Sequence, residues 1–437
     1  MPTSTYSLSN TQFKLLYSVL FFIGLALSFI YAQHQIVTTD QIQMILNGYR
    51  GAYTGNWSSY GNISSVVGNI PGSFSSLVVG LPVLLWDSPW SPMLVVIIFH
   101  IISLLLFDAV IKEVFNSTTR IVFLVLYWLN PWFLFENILY NPAYLSLFTA
   151  LHFYSAFKLR HNPSFVFSFL HIFSIGMAMQ LHYSWPVLAV LSAYLLYRNS
   201  IKINWFGLIS GGVFIFLTLV PYLQEYLANE AIRQNKDQVD SGRYIGWGGV
   251  HVYPVLKAFL YWFRFASTLF THKITTVISF DWLGTSETLQ ILITYVYRGI
   301  LYLAGIASLW LVFLANKMAY QRVKNRLMRT VELQTNEEWL LFYMVGVLIG
   351  VFISAILSPI IFSYWHLMII APFSLIPLII YLQRFQTKKY VKYFWILAIY
   401  FVVVNLVAAH DSYKFSYKQD YSQQINEQLE QMKLVKL

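Results

Sequence analysis

The sequence predicts an all-α polytopic membrane protein with about eleven transmembrane helices and amphipathic interfacial helices on one membrane face. Hydrophobic residues make up 57% of the 437 residues and charged residues only 11%, whereas a soluble domain carries about 25% charged residues. Apolar runs recur from residue 12 to residue 409 without a long hydrophilic block. We therefore expect a single transmembrane domain that spans residues 1–437.

The apolar runs are the predicted transmembrane helices, because about 20 mostly apolar residues cross a hydrocarbon core of roughly 30 Å. The first run lacks a small-residue cleavage site and is interpreted as a retained helix rather than a signal peptide. The runs lie near residues 12–32, 90–110, 119–136, 143–158, 164–181, 183–197, 205–223, 287–315, 339–357, 367–382 and 393–409.

The basic clusters predict the orientation of these helices, because lysine and arginine are enriched in short cytoplasmic loops. With the N-terminus in the cytoplasm, the clusters around Lys112, Lys158, Lys317 and Arg384 all fall in inner turns, and the C-terminus lies outside. These clusters account for the formal charge of +10 without a nucleic-acid-binding face. The chain has no cysteine, which excludes disulfides and cysteine nucleophiles.

This orientation leaves three polar segments on the outer side, at residues 33–89, 224–286 and 410–437. In the first segment, residues 75–86 are too short for a span and are predicted to form an interfacial helix. In the second, a polar helical stretch at residues 225–240 is followed by glycines and an aromatic amphipathic stretch at residues 253–270. Both segments are expected to fold onto the membrane surface.

Asp40 is the most informative acidic residue, eight residues beyond the first predicted helix. A carboxylate at the membrane surface can act as general base towards an attacking hydroxyl or amine. The alternative interpretation is a helix cap, in which Thr38, Thr39 or Asp40 bonds the free N–H groups of a short helix that runs to Gly48. Position alone favours the cap.

Four further side chains fall at the outer ends of predicted helices and are candidates for substrate binding: Glu136, His182, Tyr364 and His366. An ionisable group at the membrane edge is a functional candidate, and a histidine can bond a phosphate or a sugar. The alternatives are capping or snorkelling for Glu136 and a bond to a neighbouring carbonyl group for the histidines.

Basic side chains lie among aromatic ones in the second outer segment, with Arg243, Lys257 and Arg264 as the candidate phosphate ligands. Guanidinium groups bind phosphate in a bidentate manner. Alternatively, these side chains only anchor an amphipathic helix to anionic headgroups. The sequence contains no nucleotide-binding loop, zinc signature or catalytic serine elbow, and no cluster indicates a metal cofactor.

Several features follow one another along the chain in a characteristic order. A first helix precedes an outer loop with Asp40, and the turn Asn69-Ile70-Pro71-Gly72-Ser73-Phe74 opens an interfacial helix. Further on stands Gly176-Met177-Ala178-Met179-Gln180-Leu181-His182. This layout resembles the GT-C class of membrane glycosyltransferases, in the branch that contains the protein O-mannosyltransferases and the aminoarabinose transferase of lipid A. The resemblance covers the first 230 residues or so well and the rest loosely.

The resemblance implies an enzyme of the bacterial inner membrane that takes a sugar from a polyprenyl-phosphate carrier. The acceptor would be a glycolipid or envelope glycan on the outer (periplasmic) face. Asp40 matches the acidic residue of the first outer loop and would act as general base in an inverting transfer. The chain departs from its relatives where Asp40 is followed by Gln41 and where Asn141-Pro142 replaces an acidic residue, which leaves metal use and donor identity open.

Two other functions stay open at this point. One is a flippase or transporter of a lipid-linked sugar, and the other is a polymerase or ligase that uses a lipid-diphosphate donor. A transporter more often places charges within its helices, and here Asp108 and Arg298 are the main ones. Because Asp108 lies four residues before Lys112, it is expected to be paired near the inner surface.

Overall fold

The computed structural model describes residues 8–64, 68–230, 232, 252–269, 274–275, 280–324, 335–358, 362–386 and 391–434, and these residues are almost all helical. The helices are α1 (Asn10–His34), α2 (Thr39–Thr54), α3 (Phe74–Leu85), α4 (Trp90–Val114), α5 (Ser117–Trp128), α6 (Pro131–Leu134), α7 (Leu145–Lys158), α8 (Phe165–Met179), α9 (Pro186–Tyr197), α10 (Trp205–Ala228), α11 (Val252–Ala266), α12 (Glu287–Val323), α13 (Asn336–Ile356), α14 (Tyr364–Leu367), α15 (Ala371–Leu382), α16 (Val391–His410) and α17 (Tyr421–Gln431).

The predicted polytopic membrane architecture is confirmed, since every apolar run falls on a helix. Within the described part of the chain, seven helical segments are long and apolar enough to cross a membrane. They are Asn10–His34, Trp90–Val114, Trp205–Ala228, Glu287–Val323, Asn336–Ile356, Tyr364–Phe385 and Lys392–His410. A helix, α3, also covers the stretch at residues 75–86, while its interfacial location stays a prediction.

Four predicted runs form helices shorter than a full span. Helices α5, α7, α8 and α9 have 12, 14, 15 and 12 residues, which gives lengths of about 18–22 Å. The run at residues 119–136 is broken because Asn130 caps a new short helix that begins at Pro131, accepting a hydrogen bond from the N–H of Trp132 at 3.0 Å. A proline at the first helical position favours such a restart.

Two short antiparallel ribbons accompany the helices in the polar segments. Strand β1 (Tyr60–Ser64) pairs with β2 (Gly68–Pro71), and β3 (Asp411–Ser412) pairs with β4 (Phe415–Ser416). The second ribbon joins α16 to α17, and Gln35 at the end of α1 forms a further bridge with Phe415. The C-terminal segment is therefore folded against the first helix.

Buried polar side chains join the helices inside the apolar bundle. Asn405 of α16 is fully buried, accepts a hydrogen bond from the Tyr31 hydroxyl at 2.9 Å and donates one to the Leu129 carbonyl at 2.8 Å. Asp108 of α4 pairs with Arg120 of α5 rather than with Lys112, through contacts of 2.9 and 2.5 Å. Arg120 satisfies both carboxylate oxygens because it starts the next helix, directly opposite the end of α4.

The helix ends define two faces of the molecule. The face with the end of α1, the start of α2, α14 and the β3–β4 ribbon is called the Asp40 face. The opposite face carries the C-terminal ends of α4, α7 and α12. There Glu113 pairs with Lys158 and Arg160, and Arg322 pairs with Glu337. These basic helix ends lie on the face opposite Asp40, as the distribution of lysine and arginine along the sequence predicts. The cytoplasmic placement of the N-terminus stays a prediction.

Candidate functional site

Asp40 lies in the first turn of α2, and its side chain is exposed. The N-cap position belongs to Thr38, whose backbone N–H donates to Gln41 Oε1 at 2.8 Å in a capping box. The backbone carbonyl of Asp40 accepts a hydrogen bond from Asn62 Nδ2 at 2.8 Å. Because Thr38 occupies the cap, the Asp40 carboxylate projects into solvent at the positive end of the helix dipole. Helix α2 also runs past Gly48 to Thr54.

A buried glutamine connects the Asp40 loop to the loop that follows α6. Gln35 is fully buried, and its Oε1 accepts hydrogen bonds from Gln41 Nε2 at 3.0 Å and from the N–H of Leu139 at 2.9 Å. Its backbone carbonyl accepts a bond from Gln424 Nε2 of α17 at 3.0 Å. Three segments that are distant in sequence are thereby held around one point. The position of Asp40 relative to residues 135–140 follows from this network.

Glu136 is buried in the loop after α6, with 3% of its surface exposed. The Tyr140 hydroxyl donates to Glu136 Oε2 at 2.8 Å, whereas Oε1 has no partner among the described residues. Burial raises the pKa of this carboxyl to about 7, although the nearby Lys414 cation and the Tyr140 hydrogen bond partly counteract the effect. Near neutral pH, Glu136 is therefore divided between its protonated and ionised forms.

A small cavity lies beside Glu136. Its volume is about 30 Å³, and His100, Asn137 and Thr149 contribute to its wall together with Glu136. The buried Thr149 Oγ1 has no partner among the described residues, while His100 bonds Asn137 Oδ1 at 3.2 Å and the Ala143 carbonyl at 3.0 Å. The rest of the wall is mostly apolar, and the cavity has room for about one water molecule beside these polar groups.

Lys414 reaches the same region from the turn between β3 and β4. Its Nζ lies 4.6 Å from the ring centroid of Tyr140, 5.6 Å from that of Tyr364 and 5.5 Å from that of Trp365. The Lys414 carbonyl accepts a hydrogen bond from the N–H of Ile36 at 2.9 Å, which holds the turn on the end of α1. Sequence reasoning missed this cation. Its place in a short tight turn that follows the last predicted helix left no periodic signal in the sequence.

Arg264 is the buried cation of α11, with 9% of its surface exposed. Its Cζ lies 5.1 Å from the ring centroid of Tyr261 and 5.4 Å from that of Trp132, and its Nε has no partner among the described residues. Within that part of the chain, no carboxylate lies at ion-pair distance from Arg264. Burial lowers the pKa of the guanidinium group, and a buried cation of this kind is stabilised by an anion.

Tyr364 connects the two cations through an aromatic wall. The side chain is 1% exposed, and its ring centroid lies 5.8 Å from that of Trp132 and 5.7 Å from that of Phe135. The tyrosine hydroxyl has no partner among the described residues. Since Arg264 contacts Trp132 and Lys414 contacts Tyr364, both cations border the same pair of aromatic rings.

His182 and His366 are brought together by the fold, with ring centroids 5.6 Å apart. The N–H groups of Ser184 and Ser363 donate to the Nδ1 atoms of His182 and His366, at 3.2 and 2.9 Å. In the neutral rings the proton is therefore on Nε2. Burial lowers the pKa of His182 to about 4, so this ring is neutral at pH 7. Among the described residues, no three His, Cys, Asp or Glu side chains group to hold a metal ion.

The turn at residues 69–74 packs on the loop that contains His182. Gly72 has a φ of +84°, and an added Cβ would lie 2.2 Å from Gln180 Oε1, so glycine is required there. The Tyr183 hydroxyl donates to the Asn69 carbonyl at 2.8 Å. Two segments singled out by the sequence are therefore in direct contact.

The remaining basic candidates are placed differently. Lys257 lies two turns before Arg264 on α11, with its Nζ 5.4 Å from the ring centroid of Tyr253 on the same helix. Among the described residues, Lys257 is not in contact with Glu136, Tyr364 or Lys414. Arg243 lies outside the described residues.

Comparison with solved structures identifies membrane glycosyltransferases of similar fold. The oligosaccharyltransferase of Archaeoglobus fulgidus, crystallised in complex with Zn and sulfate, has a TM-score of 0.51 and 11% sequence identity, covering 92% of this chain and 53% of that one. ArnT from Cupriavidus metallidurans in the apo state has a TM-score of 0.48 and 11% identity, covering 95% of this chain and 62% of that one. No family model and no curated protein matches.

The predicted GT-C fold is thus confirmed by the likeness to the oligosaccharyltransferase. At 11% identity the likeness concerns the fold and not the residues of the site. The chain spans between half and two thirds of the length of these structures.

Proposed function

We propose that this protein is a membrane glycosyltransferase that moves a sugar from a polyprenyl-phosphate-linked donor to an acceptor at the Asp40 face. The observation that carries the proposal is the exposed Asp40 carboxylate in a GT-C fold, on a face where two cations border one aromatic wall. The fold supports the class of reaction, and the side chains support the chemistry. The acceptor class is a glycolipid or an envelope glycan.

Asp40 acts as the general base in this proposal. An acceptor hydroxyl attacks the anomeric carbon of the donor while its proton passes to the Asp40 carboxylate. The bond between that carbon and the phosphate oxygen breaks, and polyprenyl phosphate leaves with the electron pair. The configuration of the sugar is inverted in this single displacement. An exposed carboxylate that is not used as a helix cap is available for this role.

Arg264 and Lys414 stabilise the leaving phosphate. Negative charge grows on the phosphate oxygens in the transition state, and fixed cations in a water-poor site stabilise it strongly. Arg264 has no carboxylate partner among the described residues, so an anionic ligand would supply the missing counter-charge. The buried rings of Trp132 and Tyr364 lie between the two cations and hold them in position.

The test is a glycan and lipid profile of cells that lack the gene, measured by mass spectrometry. The cells are complemented with the wild type, with Asp40→Asn or with Glu430→Gln, an equally conservative change at an exposed carboxylate of α17. We expect one sugar increment to disappear in the deletion and to return with the wild type and Glu430→Gln but not with Asp40→Asn. Membrane levels of all three proteins are measured in parallel.

Each component of the proposal can fail separately. Full restoration by Asp40→Asn would exclude Asp40 as the base while leaving the transferase in place. An unchanged glycan profile in the deletion strain would exclude the transferase and favour the alternative function, transport of a lipid-linked sugar. Incubation of the purified protein with lipid monophosphate and lipid diphosphate donors separates the proposed enzyme from a polymerase or ligase.

A further inference from the structure

An open groove lies on the opposite face, between the C-terminal ends of α12 and α15. Its volume is about 490 Å³. Its walls are formed by Leu314, Lys317, Met318, Gln321 and Arg322 of α12 and by Tyr381 and Arg384 of the α15 end. The groove is remote from Asp40, because α12 begins near Asp281, which bonds Tyr417 of the Asp40 face at 3.1 Å, and then crosses the molecule.

The groove has an excess of positive charge. Arg322 is paired with Glu337 of α13, but Lys317 and Arg384 are exposed and make no ion pair with any described residue. Three cations therefore line the groove, and one of them, Arg322, has a carboxylate partner. A guanidinium and an ammonium group with no carboxylate partner in the described chain favour a phosphate group between them.

An apolar surface leads from these cations along α12. Trp310, Leu314, Lys317 and Gln321 are spaced by four, three and four residues, so they lie on one side of the helix. Trp310 is 62% exposed, and its ring stacks on that of Phe313 with centroids 5.6 Å apart. The 37 residues of α12 extend about 55 Å, well beyond a hydrocarbon core of roughly 30 Å. A helix of this length can place the cations at the membrane surface while the aromatic rings contact lipid.

Hydrogen bonds fix both walls of the groove. Next to Lys317, the Asn316 side chain accepts a bond from Trp262 Nε1 at 3.0 Å, which sets the rotation of α12. Beyond Arg384, the buried Gln386 donates to Thr119 Oγ1 at 2.7 Å and holds the end of α15 on α5. Lys317 and Arg384 are thereby kept on facing walls.

We propose that this groove binds the headgroup of an anionic phospholipid from the leaflet on the opposite face. The lipid phosphate contacts Lys317 and Arg384, and an acyl chain lies along Trp310 and Leu314. Basic pockets between transmembrane helices are suited to such headgroups. The apolar surface below the cations favours a lipid over a free phosphate ion. This site is independent of the transferase proposed for the Asp40 face.

The experiment is native mass spectrometry of the detergent-solubilised full chain, titrated with phosphatidylglycerol, with phosphatidylcholine of the same acyl chains, or with inorganic phosphate. We expect the wild type to bind one phosphatidylglycerol molecule at least tenfold more tightly than phosphatidylcholine. Lys317→Gln and Arg384→Gln should each weaken this binding about fivefold, the equivalent of roughly 1 kcal/mol per cation. Lys202→Gln, an exposed lysine of the same face outside the groove, should have no effect.

The outcomes distinguish the possible ligands. Equal affinity for the two phospholipids, or unchanged binding in the double variant Lys317→Gln/Arg384→Gln, would overturn the proposal. Displacement of phosphatidylglycerol by millimolar inorganic phosphate would identify a general anion site and would also overturn the assignment to a lipid. Thermal unfolding of each variant without added lipid shows whether a lost affinity reflects a lost fold. Should the glutamine variants unfold, Lys317→Arg, which keeps the charge, must retain the phosphatidylglycerol preference.

Discussion

Replacing Glu136 with glutamine tests the electrostatics of the candidate site. Burial raises the pKa of this carboxyl to about 7 in the folded chain, from an ordinary value of 4.5. The folded state therefore holds the proton more tightly than the unfolded state. The difference corresponds to about 3 kcal/mol, which is present below pH 4.5 and is lost as the pH rises through 7. Glutamine cannot titrate, so Glu136→Gln should not lose this contribution.

The measurement is the free energy of unfolding of the solubilised protein between pH 4 and pH 8. We expect the wild type to lose about 3 kcal/mol more than Glu136→Gln across this range. Glu430→Gln serves as the control because that carboxylate is exposed, and its pH dependence should run parallel to the wild type. Infrared spectroscopy provides a second readout. The band of the protonated Glu136 carboxylic acid should disappear with a midpoint near pH 7 in the wild type and in Glu430→Gln, and it should be absent from Glu136→Gln.

Two results would refute this reasoning. The first is an identical pH dependence of stability in the wild type and Glu136→Gln. The second is a carboxylic acid band at Glu136 that titrates below pH 5, which would mean that water or Lys414 solvates the carboxylate better than the burial of its side chain indicates. The infrared result stands even if the glutamine variant folds poorly, because it is measured on the wild type.

Three further predictions concern single contacts. Lys414→Met should move the infrared midpoint of Glu136 above pH 7, because the Lys414 cation lowers the pKa of that carboxyl, whereas Lys418→Met should leave it in place. Asn405→Leu should lower the free energy of unfolding by about 1–3 kcal/mol in denaturation experiments, because it removes the partner of the buried Tyr31 hydroxyl; an unchanged stability would contradict this. Gly350→Ala should cost about 1–3 kcal/mol in thermal unfolding, because its Cβ would lie 2.5 Å from the Val187 carbonyl oxygen. Gly212→Ala, with open space around it, should be neutral or slightly stabilising, and equal effects of both alanines would refute the packing argument.

Membrane-buried histidines show what one-dimensional patterns leave out. His152 Nε2 and His171 Nε2 both lie within hydrogen-bond distance of Ser192 Oγ, at 2.8 and 2.9 Å, and His152 Nδ1 lies 2.7 Å from the Tyr343 hydroxyl. These residues belong to four helices, α7, α8, α9 and α13. Each histidine stands alone in an apolar run. Only the packing of the helices shows that Ser192 bonds both histidines and that Tyr343 bonds His152.

Composition and hydrophobic runs were sufficient to predict the fold class, the apolar helices and the helix α3. The reason is that every segment that crosses the hydrocarbon core must be apolar and must bond its backbone polar groups within itself. This requirement does not determine where a helix begins or ends. The break at Asn130 and the 37-residue length of α12 depend on capping and on neighbouring helices, and the β3–β4 ribbon depends on α1.

The candidate site was predictable only in part. Asp40 follows the first helix in sequence, so its place at a helix start could be inferred, but the identity of the cap required the Thr38 and Gln41 side chains in three dimensions. Glu136 was recognised as a membrane-edge residue, whereas its burial and its raised pKa arise from the surrounding loops. Lys414 lies 374 residues beyond Asp40 in the chain, and only tertiary structure brings that cation to Glu136, because contacts between distant segments leave no period or spacing in the sequence.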